Sequence, residues 1–91
     1  MGNFKIVLSS HVTLTKMEDK LVLFSKKSGD FYGLNESALF LLKTLLESDF
    51  HKTLKVAAHE FNEDENVIQS DLEELVTSLE SADVLKKVPC E

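Results

Sequence analysis

The stretch LVLFSKKSGDFYGLNESALFLL, residues 21–42, decides how this chain folds. Leu21, Val22, Leu23 and Phe24 are an unbroken β-prone apolar run, as expected of a central strand. Lys26-Lys27-Ser28-Gly29-Asp30 is a polar turn in which Gly29 supplies a positive φ without a Cβ clash. Phe31-Tyr32-Gly33-Leu34 follows as a short strand. Asn35 then offers a side-chain oxygen to the free amides that open a helix. Ala38, Leu41, Leu42 and Leu45 keep the i, i+3, i+4, i+7 spacing of a buried helical face. Leu39, Phe40 and Leu46 widen that stripe until it nearly encircles the helix, which is expected to be the central and most buried one.

Upstream, His11 to Lys16 alternates, with Val12, Leu14 and Lys16 on one face and Thr13 and Thr15 on the other. Met17-Glu18-Asp19-Lys20 is the turn that joins it to the central strand, so three strands form an antiparallel meander. Phe4 to Leu8 adds a further short extended segment. Downstream, Ser48 to Lys52 is a polar connection, Thr53 is the expected cap of a second helix, and Leu54, Ala57, Ala58 and Phe61 form its apolar face. After a break at Asn62 to Asp64, with Asn62 or Asp64 capping, a long third helix buries Ile68, Leu72, Leu75 and Leu79 and ends near Asp83. Val84 and Leu85 fold back on the core, and residues 87–91 are expected to be a loose tail. The reading is α+β: one domain over 1–91, folded over about 4–86, winged-helix-like, with a three-stranded antiparallel β-meander followed by three α-helices.

With 91 residues, one modest core is the expectation. The net charge is −6, and all ten basic residues are Lys. Between Val56 and Leu85 there is no Lys or Arg, while Glu60, Glu63, Asp64, Glu65, Asp71, Glu73, Glu74, Glu80 and Asp83 crowd the same span. That surface repels phosphates and anionic lipids, which argues against nucleic-acid and membrane partners. A DNA-reading third helix needs basic groove-facing residues; this one offers Gln69 among acids, so a winged-helix regulator is the weaker alternative. A small assembly subunit, hiding the apolar excess of the first helix in an interface, is the other. Cys90 is the lone cysteine, which fits a reducing compartment, and the cytoplasm is the expected location. The longest apolar run, Ala38 to Leu42, is far too short to span a bilayer. His11, His51 and His59 share no ligand spacing with Cys90 or a carboxylate pair, and Cys90 has no base near it in sequence. No glycine-rich loop cradles phosphate, so no cofactor, no metal and no catalysis are expected.

A peptide surface remains. A meander has open edges, and an extended peptide can pair with one. The last strand is a candidate edge. Tyr32 and Leu34 share a face, which leaves Phe31 on the other side as the residue that core packing does not explain.

The run from Leu21 to Leu42 also resembles the signature region of PqqD-like proteins. Strand, glycine-containing turn and aromatic strand lead into Leu34-Asn35, and Ala38 is the small residue inside the apolar helix. Leu54 to Phe61, the break, Val67, Asp71-Leu72 and Leu79 extend the likeness over about residues 11–85. The version SGDFYGLN is more similar to freestanding members of lasso-peptide clusters than to the quinone-cofactor branch, whose Pro-Glu-Gly type turn is absent. Asp83 stands where many relatives have Gly, a position Asp tolerates in left-handed backbone.

The resemblance implies a recognition element of ribosomally made, post-translationally modified peptide pathways. Such an element binds the leader of a precursor peptide as an added strand, between the third strand and the third helix, and presents it to a leader peptidase, a cyclase or another modifying enzyme. Carried onto this sequence, Asp30, Phe31, Tyr32 and Gly33 would be the binding strand, with Lys27 and Gly29 at its mouth. Val67, Ile68, Asp71, Leu72 and Leu75 would face it. Apolar leader side chains are expected between Tyr32, Ile68, Leu72 and Leu75, and a leader Lys or Arg beside Asp71 and Glu74.

Overall fold

The structure, a computed structural model, describes residues 3–90. Strand β1 (Phe4–Leu8) opens the chain, followed by β2 (Val12–Met17), β3 (Lys20–Ser25) and β4 (Phe31–Gly33). Three helices come next: α1 (Glu36–Glu47), α2 (Phe50–Phe61) and α3 (Glu65–Ser81), and β5 (Leu85–Pro89) closes the order. The expected meander is there, antiparallel in the order β2-β3-β4, with β3 central. Its first turn is tight. Met17 pairs with Lys20, and Glu18 takes φ +56 in a loop where Gly or Asn is commoner. Gly29 turns the second at φ +76, its N–H donating to the Ser25 carbonyl at 2.8 Å.

A second sheet departs from expectation. β1 and β5 pair antiparallel, from Phe4 opposite Pro89 to Leu8 opposite Leu85. The segment from 87 to 89, expected to be a loose tail, is therefore strand; Glu91 lies outside the described residues. Only Leu85 of β5 is buried, so Lys86, Lys87 and Val88 carry little apolar signal for a strand. Pro89 is tolerated because it ends the ladder. Lys87 lies over the Phe4 ring, 5.0 Å from its centroid.

The helices begin where side-chain oxygens meet free amides. Asn35 Oδ1 accepts from the Ala38 N–H at 2.7 Å, as expected. Asp64 Oδ1 accepts from the Asn66 N–H at 2.8 Å. The second helix starts earlier than expected. Asp49, not Thr53, is its cap, accepting from the Lys52 N–H at 2.8 Å, and that bond holds the Asp49 carboxyl below its usual pKa. Asn3 adds a second acceptor, its Oδ1 taking the His51 N–H at 3.0 Å. The physical reason for the early start is Phe50, which is buried and stacks on Phe4 with centroids 4.7 Å apart. Thr53 is drawn fully inside, where its Oγ1 has no hydrogen-bond partner.

One core joins both sheets and all three helices. Ile6, Leu23, Leu42, Leu45, Ala57, Leu72, Val76, Val84 and Leu85 are almost wholly closed off. Each large member contributes roughly 1.5–3 kcal/mol of burial. α1 is less enclosed than its composition suggests: Leu41, Leu42 and Leu45 are buried, whereas Leu39 and Phe40 line a groove on its outer face. Phe40 recovers cover by packing edge-on against Phe61, centroids 5.2 Å apart. In α3, Val76 takes the inward place expected of Leu75, which is only half-buried. Beyond Ser81 the chain reverses at Asp83, φ +61, and the Val84 N–H donates back to the Leu79 carbonyl at 2.9 Å. No helix among the described residues is long and apolar enough to cross a membrane.

Candidate functional site

β4 has one strand neighbour, β3, so among the described residues no strand occupies its other rim. The ladder fixes which atoms that rim presents. The Ser25 N–H donates to the Asp30 carbonyl at 2.9 Å. Bonded pairs alternate in an antiparallel ladder, so Leu23 and Tyr32 are the next such pair. Phe31 and Gly33, opposite Phe24 and Val22, therefore turn their N–H and C=O groups away from β3. Those outward groups are the donors and acceptors that an added strand would use.

Side chains alternate across the same strand. Tyr32 is half-buried and packs on the core beside Leu34. Phe31 points to the opposite face, 52% exposed, with its ring 4.7 Å from that of Phe24. Phe31 is thus the residue the core does not use, as the alternation predicts.

Two cavities bear on the expected site, one beside β4 and one beside α3. One, of about 370 Å³, lies at the start of β4 and is lined by His11, Ser25, Lys27, Ser28, Tyr32, Ala82 and Asp83. Across it Tyr32 of β4 faces Ala82 and Asp83, in the turn that follows α3. Asp83 Oδ2 lies 3.7 Å from Lys27 Nζ and 3.6 Å from His11 Nε2. The other, of about 230 Å³, is lined by Ser37, Leu41, Phe61, Glu63, Val67, Ile68 and Asp71. It joins the N-terminal half of α3 to the first turn of α1, just past the end of β4. The first cavity thus relates β4 to the turn that follows α3, and the second relates the N-terminal half of α3 to α1 and the end of α2. The second cavity has an apolar floor of Leu41, Phe61 and Ile68 and two carboxylates, Glu63 and Asp71, a surface suited to a side chain with an aliphatic stem and a cationic head.

The structure brings Lys27 and Tyr32 together at one cavity, and Val67, Ile68 and Asp71 at the other. Val67 is 46% exposed, an apolar side chain left open. Asp30 and Gly29 shape the turn into β4; Glu74 is exposed one turn beyond Asp71. Among the described residues, neither of these cavities gathers Tyr32, Ile68, Leu72 and Leu75. Leu72 is fully enclosed in the core and backs the wall instead of facing a guest. Sequence reasoning did not reach Ser37, Leu41, Phe61 and Glu63 as site residues, because they come from α1, from the end of α2 and from the connection that follows it. It noted Asp83 only as a helix-end residue, and nothing local signals its pairing with His11 and Lys27.

The profile of the family described as Coenzyme PQQ synthesis protein D (PqqD) matches residues 20–85, from the central strand to the end of the α3 turn. The chain belongs to the PqqD family. No curated protein sequence matches this PqqD member. Solved structures match its fold closely. One, "Lasso peptide synthetase B1 complexed with the leader peptide", has a TM-score of 0.82 at 20% identity, over 90% of this chain and 98% of the other. A second, "TbiB1 in Complex with the TbiA(beta) Leader Peptide", has a TM-score of 0.77 at 20% identity, over 87% of this chain and 93% of the other. The PqqD fold seen here, meander then three helices, is thus shared with two proteins solved with leader peptides bound.

Proposed function

We propose that this PqqD-family protein is a non-catalytic recognition element that takes the leader segment of a precursor peptide as a fourth strand on β4. It then holds that segment for a leader peptidase, a cyclase or another modifying enzyme, in a lasso-peptide pathway of the cytoplasm. The observation that carries the reading is the unpaired rim of β4, with the N–H and C=O groups of Phe31 and Gly33 directed outward. The leader peptides bound by the two structural neighbours support the same use of the fold.

In this reading Lys27, Gly29 and Asp30 form the mouth, and Phe31, Tyr32 and Gly33 are the docking strand. Val67, Ile68 and Leu75 line the facing helix, with Leu72 behind them. Asp71 and Glu74 meet a basic leader residue, Glu63 adding to their charge. A short strand with two or three side-chain anchors suits a Kd in roughly the micromolar to nanomolar range, about −8 to −12 kcal/mol. The described chain acts as one domain throughout.

The test is calorimetry with the leader segment of the precursor encoded beside this chain. Phe31→Pro deletes an outward N–H while sparing the β3–β4 bonds, so it should weaken binding roughly tenfold or more relative to Phe31→Ala, with little change in unfolding midpoint. Equal affinity of the two variants would place the peptide elsewhere. Binding should also persist in high salt, where a DNA complex would collapse.

A further inference from the structure

Gly33 is a glycine the fold does not require. Its backbone lies outside the left-handed region, unlike Gly29, and a Cβ built on it meets nothing within 4 Å. A glycine inside a strand weakens it, since it gives up side-chain packing and orders a more flexible backbone. The vacancy sits at a particular place. On the sheet face away from the helices, Gly33 lies between its cross-strand partner Val22 and the open rim. Two residues along the same face is Phe31, half exposed and resting on Phe24. That face therefore has a notch at its edge, with Val22 behind it and an aromatic ring beside it.

An added strand would run about 4.8 Å beyond β4. Its residue opposite Gly33 would point to the same face as Phe31 and meet no side chain on β4. A small residue there would leave Val22 and one side of Phe31 open to water. A long apolar side chain can lean across the glycine and cover both, as aromatic residues do when they pack over edge glycines in sheets.

We propose that Gly33 is the specificity-determining floor of a subsite for one large apolar side chain, aromatic by preference, of the incoming strand. The subsite rests on the strand-addition reading above and adds to it a position and a residue class. The neighbouring guest residue, opposite Tyr32, would point to the other face, toward the helices. The guest opposite Gly33 is read on the outer face, by size.

The test uses a displayed library of randomised twelve-residue peptides, selected in parallel on the wild-type protein, Gly33→Ala and Gly33→Val. The wild type should enrich Phe, Tyr, Trp, Leu or Met at one fixed position. Gly33→Val should replace that preference by Gly, Ala or Ser, leaving the other positions as they were. The best wild-type peptide should bind Gly33→Val roughly tenfold more weakly, with Gly33→Ala between, and its large-to-Gly derivative should regain affinity on Gly33→Val. The unfolding midpoints of both variants should equal or exceed that of the wild type, which separates a filled notch from a damaged fold. Identical preferences and affinities across the three proteins would overturn the subsite while leaving strand addition intact. A wild type that enriches no peptide, or whose peptides leave the Phe31 and Gly33 amides exchanging as freely as in the unbound protein, would remove strand addition and the subsite together.

Discussion

The molecule carries two sheets built to opposite ends. The β1–β5 ribbon is laid on the helices, β1 against α1 and α2, β5 against α3. Phe4, Ile6 and Leu85 are buried in the common core, and Asn3 pins its start to the His51 amide of α2. Lys5, Lys86 and Lys87 lie along it, and a strand so charged resists pairing with another chain. β4 has the reverse character. It is three residues long, uncharged, and its main contact is with β3 alone. β2, the other rim of the meander, is longer, but Val12 already donates its N–H to the Ser9 carbonyl, and Lys16 is exposed along it. Both sheets feed the common core through Ile6, Leu85 and Leu23, but they differ at their edges: the ribbon is guarded by charge, whereas among the described residues no strand covers the outer rim of β4.

Breaking the ribbon should have the largest effect. Phe4→Ala removes a buried ring and its stack on Phe50, and should cost about 3–5 kcal/mol in a urea titration. The part of the population still folded should bind a leader as the wild type does. On the open side, Asp71→Lys reverses an exposed charge at the rim of the α3 cavity. It should leave the urea midpoint nearly unchanged and weaken a cationic leader roughly tenfold by calorimetry, an effect that fades with salt. If affinity for such a leader stays put, the charge pairing is wrong. Thr53→Val on the buried face of α2 replaces an unpartnered hydroxyl by a methyl and should stabilise by about 1 kcal/mol without touching binding.

The smallest effect belongs to the cap at Asp49. Its folded carboxyl titrates below the unfolded one because the Lys52 N–H favours the anion, so its contribution is fully present above the unfolded pKa. That contribution disappears as the pH falls through the lowered folded value. The stability gap between wild type and Asp49→Ala should therefore be constant near neutrality and close in acid, as followed by thermal unfolding across pH.

Much of this fold is legible because local chemistry and burial agree. Gly29, Asn35 and the Leu41–Leu42–Leu45 spacing each point to the same turn, cap and helix that the structure contains. Where two plausible caps compete, local chemistry does not choose: Asp49 wins over Thr53 because Phe50 must reach Phe4, a contact between residues far apart in sequence. β5 is hidden for the same reason, since its partner lies at the opposite end of the chain. The exposed aromatic at the edge was readable from alternation alone. The cavities were not, because residues from α1, α2 and α3 meet only when the helices pack.

The brevity of β4 bears on what such a protein could carry. In the proposed strand addition, two residues with outward backbone groups would grip a guest over about four positions, and the rest of the guest would lie beyond this strand. A precursor could then change its downstream cargo wholesale without losing its escort, and foreign sequences appended behind an accepted tag would travel the same route. Evolution of new products, or their redesign at the bench, would need no change in this protein at all.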